Sequence, residues 1–145
     1  MINIICSGKI KENYLNELIE DYKSRINKYH KIGIIEIKDE NNLDIEAENI
    51  LKHIGQRDYV IACAIEGKEI NSIEFSKLLD NAFLNSGTID FIIGSSDGLS
   101  TKVKMRANEL LSFSRLTMPH GLFRGVLLEQ IYRAFKINNN EKYHK

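Results

Sequence analysis

Five times along this chain a short apolar run gives way to a stretch whose apolar residues recur three and four positions apart. No other feature narrows the possible folds as much. Ile2 to Cys6 ends at Ser7-Gly8, and Ile10, Tyr14, Leu15, Leu18, Tyr22, Ile26 and Tyr29 then share one helical face. Gly33 to Ile37 is followed by the polar Asp39-Glu40-Asn41-Asn42 and by Leu43, Ala47, Ile50, Leu51 and Ile54, a second helix stopped near Gly55. Tyr59 to Ile65 is apolar on both faces, as a central parallel strand must be. Asn71 with Glu74 three residues on predicts a capped helix start, continued by Phe75, Leu78, Leu79, Ala82 and Phe83 and ended by Gly87. Ile89 to Ile93 runs into Gly94-Ser95-Ser96-Asp97-Gly98 and a shorter helix from about Ser100. Leu110 to Phe113 gives a fifth strand, and Pro119, the only proline, precedes a last helix carrying Phe123, Val126, Leu127, Gln130, Ile131, Ala134 and Phe135. Strands alternating with helices predict a single α/β domain over residues 1–145, with a mostly parallel sheet flanked by helices.

Composition adds limits. A hydrophobic fraction of 43% and a charged fraction of 28% are those of a globular protein. No run reaches the ~18 apolar residues of a membrane span. The N-terminus lacks the basic start and long apolar stretch of a signal peptide, so a cytoplasmic location and no membrane partner are expected. Cys6 and Cys63 sit in apolar runs with no second Cys or His at ligand spacing, which predicts two small buried hydrophobes and no metal site. The net charge of zero hides an asymmetry. Residues 1–100 hold 11 basic and 17 acidic residues, and residues 101–145 hold nine basic and three acidic. The basic end predicts either an anionic partner or an ordinary solvated face.

Ligands of parallel sheets bind beyond the carboxyl ends of the strands, so the loops after Ile65 and Ile93 and the segment Ser112 to His120 are the candidate sites. Gly94 directly after a buried strand lets a ligand approach the backbone, although Asp97-Gly98 also suits a plain turn. The loop is neither a dinucleotide fingerprint nor a phosphate-binding P-loop. Phe113-Ser114-Arg115-Leu116-Thr117-Met118-Pro119-His120 crosses from a strand to a helix. His120 suits a general base, a substrate-binding donor or a structural hydrogen bond. On the last helix, Arg124, Glu129 and Arg133 interrupt or flank the apolar face, and pairing of Glu129 with an arginine competes with substrate contact. Tyr143-His144-Lys145 is an aromatic, basic end that either stacks on RNA or frays.

Taken in order, Ile93 to Gly98, Leu111 to His120, Arg124 with Glu129 to Ile137, and Tyr143-His144-Lys145 resemble the ribosomal RNA large subunit methyltransferase H family of the SPOUT methyltransferases. Gly8-Lys9, Gly55-Gln56-Arg57 and Glu66-Gly67-Lys68 also fit, and the resemblance covers nearly the whole chain. It implies a SPOUT fold with a C-terminal trefoil knot, at about residues 88–145, and a homodimer. It implies S-adenosyl-L-methionine as cofactor and methylation of N3 of a pseudouridine in the helix-69 stem-loop of large-subunit RNA, within the assembled ribosome. Carried over by position, cofactor contacts fall on Cys63, Gly94, Phe113, Ser114, Arg115, Leu116, Thr117 and Met118. His120, Arg124, Glu129 and His144 are the catalytic candidates, and Arg133, Tyr143, His144 and Lys145 the RNA-binding ones. Cys63 stands where leucine is usual, Ala64 where an acidic residue is common, and Ser95 where the family has a second glycine. These departures leave an alternative: a non-catalytic RNA- or ribosome-binding module with the same fold. A receiver or nucleotide-binding domain fits worse, because acidic residues do not pair after the first strand.

Overall fold

A computed structural model describes all of residues 1–145. Five parallel strands lie in the order β2-β1-β4-β3-β5. In chain order the elements are β1 (Ile2–Ser7), α1 (Asn13–Asn27), β2 (Ile32–Ile37), α2 (Leu43–Leu51), β3 (Tyr59–Glu69), α3 (Ser72–Asn85), β4 (Ile89–Ile93), α4 (Thr101–Arg106), β5 (Glu109–Ser112) and α5 (His120–Asn138). The predicted α/β class and parallel sheet are what the chain adopts.

Alternating side chains divide the core between two faces of the sheet. Ile4, Cys6, Ile61, Phe91 and Ile93 point to the side covered by α1, α3 and α5, and Ile5, Val60, Ala62 and Ile92 to the side covered by α2 and α4. β4 lies between β1 and β3, so all five of its residues are buried. That is why its sequence shows no polar alternation, and each of its buried Ile or Phe side chains contributes about 1.5–3 kcal/mol. α5 packs against both α1 and α3. The Ser72 hydroxyl donates to Gln130 (2.7 Å), and the Asn138 amide donates to the Ser76 carbonyl (3.1 Å) and to Asp80 (3.0 Å), tying α5 to α3 along its length.

The helix starts follow capping chemistry. The expected box at α3 is present, with Asn71 accepting from the Glu74 amide and Glu74 accepting from the Asn71 amide. Asn42 caps α2, and Ser100 caps α4. Two expectations need correction. Tyr14 is not on the buried face of α1; it is 70% exposed, and Ile19 takes a core place with Leu15 and Ile26. The helix starts only at Asn13, so Tyr14 lies in its first turn.

The second correction concerns β3, which does not stop at Ile65. Cys63 and Lys68 both pair with Leu111 on β5, so residues 64–67 leave the ladder and return to it. The return needs Gly67, because a Cβ there would lie 2.7 Å from the Leu110 carbonyl carbon and the Leu111 amide nitrogen. The detour lies at the carboxyl end of the sheet and forms one wall of the site.

Candidate functional site

A cavity of about 670 Å³ lies over the carboxyl ends of β3, β4 and β5, within the usual range for small-molecule sites. Five pieces of chain enclose it: the β3 detour from Cys63 to Glu66, the end of β4 and the loop from Gly94 to Leu99, Lys104 of α4, the segment from Leu111 through Pro119, and the first turn of α5 at His120 and Phe123. Its inner surface is apolar, from Ile93, Leu111 and the edge-to-face pair Phe113–Phe123, with ring centres 5.2 Å apart. Exposed or half-buried polar groups ring the mouth: Ser96 and Asp97 on one loop, Ser114 and Thr117 on the other, and His120 at the start of α5.

Local hydrogen bonds shape both loops. The Gly98 amide donates to the Ser95 carbonyl (2.9 Å), closing the first loop on itself. Gly94 is pressed against that turn: a Cβ there would lie 2.5 Å from the Gly98 carbonyl oxygen and 2.7 Å from Leu99 Cδ2. In the second loop Ser114 Oγ accepts from the Leu116 amide (2.9 Å), and the Ser112 hydroxyl donates to the Ser114 carbonyl (3.2 Å). On the β3 wall Glu66 is ion-paired with Lys104. The hydrogen bond from Lys104 holds the Glu66 carboxyl below its ordinary range. Burial pushes the Cys63 thiol up to about 12, so it lines the cavity as a neutral group and not as a nucleophile.

Of the eight residues expected to contact a cofactor, Cys63, Gly94, Phe113, Ser114, Leu116, Thr117 and Met118 all lie on this wall. Arg115 does not: the turn at Ser114 sends it outward, where its Nε donates to Glu69 (3.2 Å). Among the catalytic candidates only His120 lines the cavity. Arg124 is 3% exposed and lies off the cavity wall. Its Nη1 donates to Glu36 (2.7 Å) and its Nη2 to the Gly8 carbonyl (3.3 Å). Glu129 accepts from Arg133 Nη2 at 2.6 Å, so the pairing weighed against substrate contact is the one present. Arg133 also meets His144 Nδ1 (3.0 Å) and stands 4.8 Å over the Tyr143 ring. Glu129 and Arg133 of α5 with Tyr143 and His144 beyond it thus form one cluster, apart from the cavity. Lys145 is exposed and makes no ion pair.

The basic end is less available than its count suggests. Lys104, Arg115, Arg124, Arg133 and Lys136 each pair with a carboxylate of this chain. Arg106 binds the Gly55, Gln56 and Asp58 carbonyls instead. Lys104 and Phe123 line the wall outside the loops singled out from the sequence, whereas Glu66 falls in one of them, the loop after Ile65. Glu66 lies in a detour that no periodicity reveals, and its pairing with Lys104 joins two separate elements. No group of three or more His, Cys, Asp or Glu is placed to hold a metal ion. No helix is long and apolar enough to cross a membrane.

Fold and site together define an α/β protein with a cavity of small-molecule size among the loops at the carboxyl ends of a parallel sheet. Residues 1–144 match the family model described as "Predicted SPOUT methyltransferase", and the chain belongs to the SPOUT methyltransferase family. It is 49% identical to the ribosomal RNA large subunit methyltransferase H of Streptococcus agalactiae, over 99% of each chain. It is 47% identical to that of Caldicellulosiruptor saccharolyticus, over the whole of both, and 49% identical to that of Clostridium botulinum, over 99% of each. The solved SpoU methyltransferase AviRb of Streptomyces viridochromogenes, in complex with AdoMet, aligns at a TM-score of 0.49 and 8% identity, covering 90% of this chain and 56% of that one. That likeness is too loose to add to the family assignment.

Proposed function

We propose that this methyltransferase uses S-adenosyl-L-methionine to methylate large-subunit ribosomal RNA, at N3 of a pseudouridine in the helix-69 stem-loop. It does so in the cytoplasm, as a homodimer acting on the assembled ribosome. The observation that carries the donor part is the convergence of Cys63, Gly94 and the 113–118 segment on one cavity. The walls suit such a donor. Phe113, Leu111 and Ile93 offer apolar surface to a purine, while Ser96, Asp97, Ser114 and Thr117 offer hydrogen-bonding groups to hydroxyls, amine and carboxylate. Relatives named as ribosomal RNA methyltransferases support the RNA part. The family's knotted C-terminal part, about residues 88–145, would bring the 94–99 and 113–120 loops to one ligand; both border this cavity.

The bound donor would supply an electrophilic methyl group on a sulfonium. The chain's contribution is then mostly positioning, which is the larger part of the acceleration when the electrophile is already activated. The apolar inner wall excludes water from the reacting atoms. His120, at the mouth, is the wall imidazole able to take the N3 proton as the nitrogen attacks. Glu129 and His144, both engaged by Arg133, lie elsewhere in the protomer. The cluster with Tyr143 and Lys145 serves RNA contact, from this subunit or across the dimer.

Two measurements test the reading. Calorimetry should show S-adenosylhomocysteine binding at one site per chain. Labelled methyl groups should pass to ribosomes whose helix 69 carries pseudouridine, and not to ribosomes that lack it. RNA binding without binding of the cofactor product would replace this reading with the non-catalytic module. Equal labelling of both ribosome preparations would remove the proposed target.

A further inference from the structure

Glu46 is the most deeply buried acidic side chain near the site, and the cavity wall does not include it. It lies on α2, one residue before Ala47 and one turn before Ile50, both of which pack into the core on that side of the sheet. Its side chain therefore points inward, and Glu46 is 1% exposed. Oε1 accepts a hydrogen bond from the Ser95 amide at 3.3 Å, and Oε2 has no partner. The Ser95 hydroxyl, on the loop above, is buried and also without a partner. So is the Ser7 hydroxyl at the end of β1, which alternation places on the same side of the sheet as Ile5.

A carboxylate held this way adds little to stability, since an apolar residue of similar size packs in such a place at lower cost. What it does is fix a backbone position. The bond to Glu46 is the only side-chain hydrogen bond made to residues 94–98. Gly94 is wedged against Gly98, and Gly98 is bonded to Ser95, so a shift of the Ser95 amide carries the whole turn with it. We infer that Glu46 is a positioning residue: from the helix layer behind the sheet, it sets the Gly94–Gly98 loop at the height the methyl donor needs. The inference rests on the donor reading given above.

Glu46→Gln and Glu46→Asp separate reach from the kind of acceptor group. Glutamine keeps an acceptor oxygen at the same distance in an amide. Aspartate keeps the carboxyl group but withdraws the acceptor by one methylene. Glu46→Gln should bind S-adenosylhomocysteine within about twofold of the native protein, while Glu46→Asp should bind about tenfold more weakly, the loss expected for one hydrogen bond. Amide exchange on the protein without ligand gives a readout that does not need the donor. The 94–98 amides should exchange faster in Glu46→Asp and at the native rate in Glu46→Gln, with global unfolding unchanged by circular dichroism. Native exchange of the loop in Glu46→Asp overturns the positioning role, as does equal loss of loop protection in both variants. If the native protein binds no S-adenosylhomocysteine, the donor reading fails, and the exchange result alone decides whether Glu46 sets the loop.

Discussion

At the scale of single residues, Gly94 and Asp90 show two opposite reasons for a residue to stand on β4 or at its end. Gly94 is there because nothing else fits: a Cβ at this position would meet a carbonyl oxygen at 2.5 Å and a leucine methyl at 2.7 Å, both within its own loop. Gly94→Ala should force the loop open and abolish S-adenosylhomocysteine binding in calorimetry while the chain stays folded. Native affinity in that variant would show that the loop does not grip the donor. Asp90 lies at the other end of the sheet, 0% exposed, accepting from the Asn3 amide at 2.9 Å. Burial first, and then the neighbouring Asp58 carboxyl, push it from 3.8 up to about 7. A carboxyl whose pKa rises on folding binds its proton more tightly in the folded chain. Its stabilisation is therefore complete below about pH 4 and is lost as pH rises through 7. Asp90→Asn should melt higher than the native protein at pH 8, and the gap should close toward pH 4. Parallel melting curves across that range would rule this out.

At the scale of elements, α5 does most to join the molecule. It closes the core over α1 and α3, starts at the cavity with His120, and is pinned to the far edge of the sheet through Arg124. The Arg124–Glu36 bond crosses from α5 to β2, with the arginine buried and Glu36 about one-third exposed. Arg124→Met leaves Glu36 without its partner in a half-buried place. The cost should be about 1–3 kcal/mol, less than the ~3–5 kcal/mol of a fully buried pair, because water reaches Glu36. Urea denaturation measures it, and Glu36→Gln combined with Arg124→Met should recover part of the loss. The sequence marked Arg124 as chemical because a charge on a helix's apolar face has two explanations. Only the position of β2 decides between them.

At the scale of the whole molecule, the cavity and the Tyr143–His144–Arg133 cluster are two separate places on one chain. Their separation predicts separable functions. Tyr143→Ala with His144→Ala should leave S-adenosylhomocysteine affinity native and lower methyl transfer to ribosomes at least about tenfold, the scale of one lost stacking contact with a base. Loss of cofactor binding in that variant would instead place the tail in a donor site, as the proposed dimer would allow across its interface.

Read from the residues alone, the chain shows the order of the ten elements, the capped start of α3, the proline that opens α5, and the loops after β4 and β5 that border the cavity. Each of these is written in neighbouring residues, as a repeat of two or 3.6 or as a residue that starts or stops a helix. Packing settles the rest: β3 detours past Cys63, Arg115 turns outward, Glu66 pairs with Lys104, and Glu46 stands behind Ser95. Those contacts join residues tens of positions apart, and their geometry is set by how the sheet orders its strands, which no local pattern encodes.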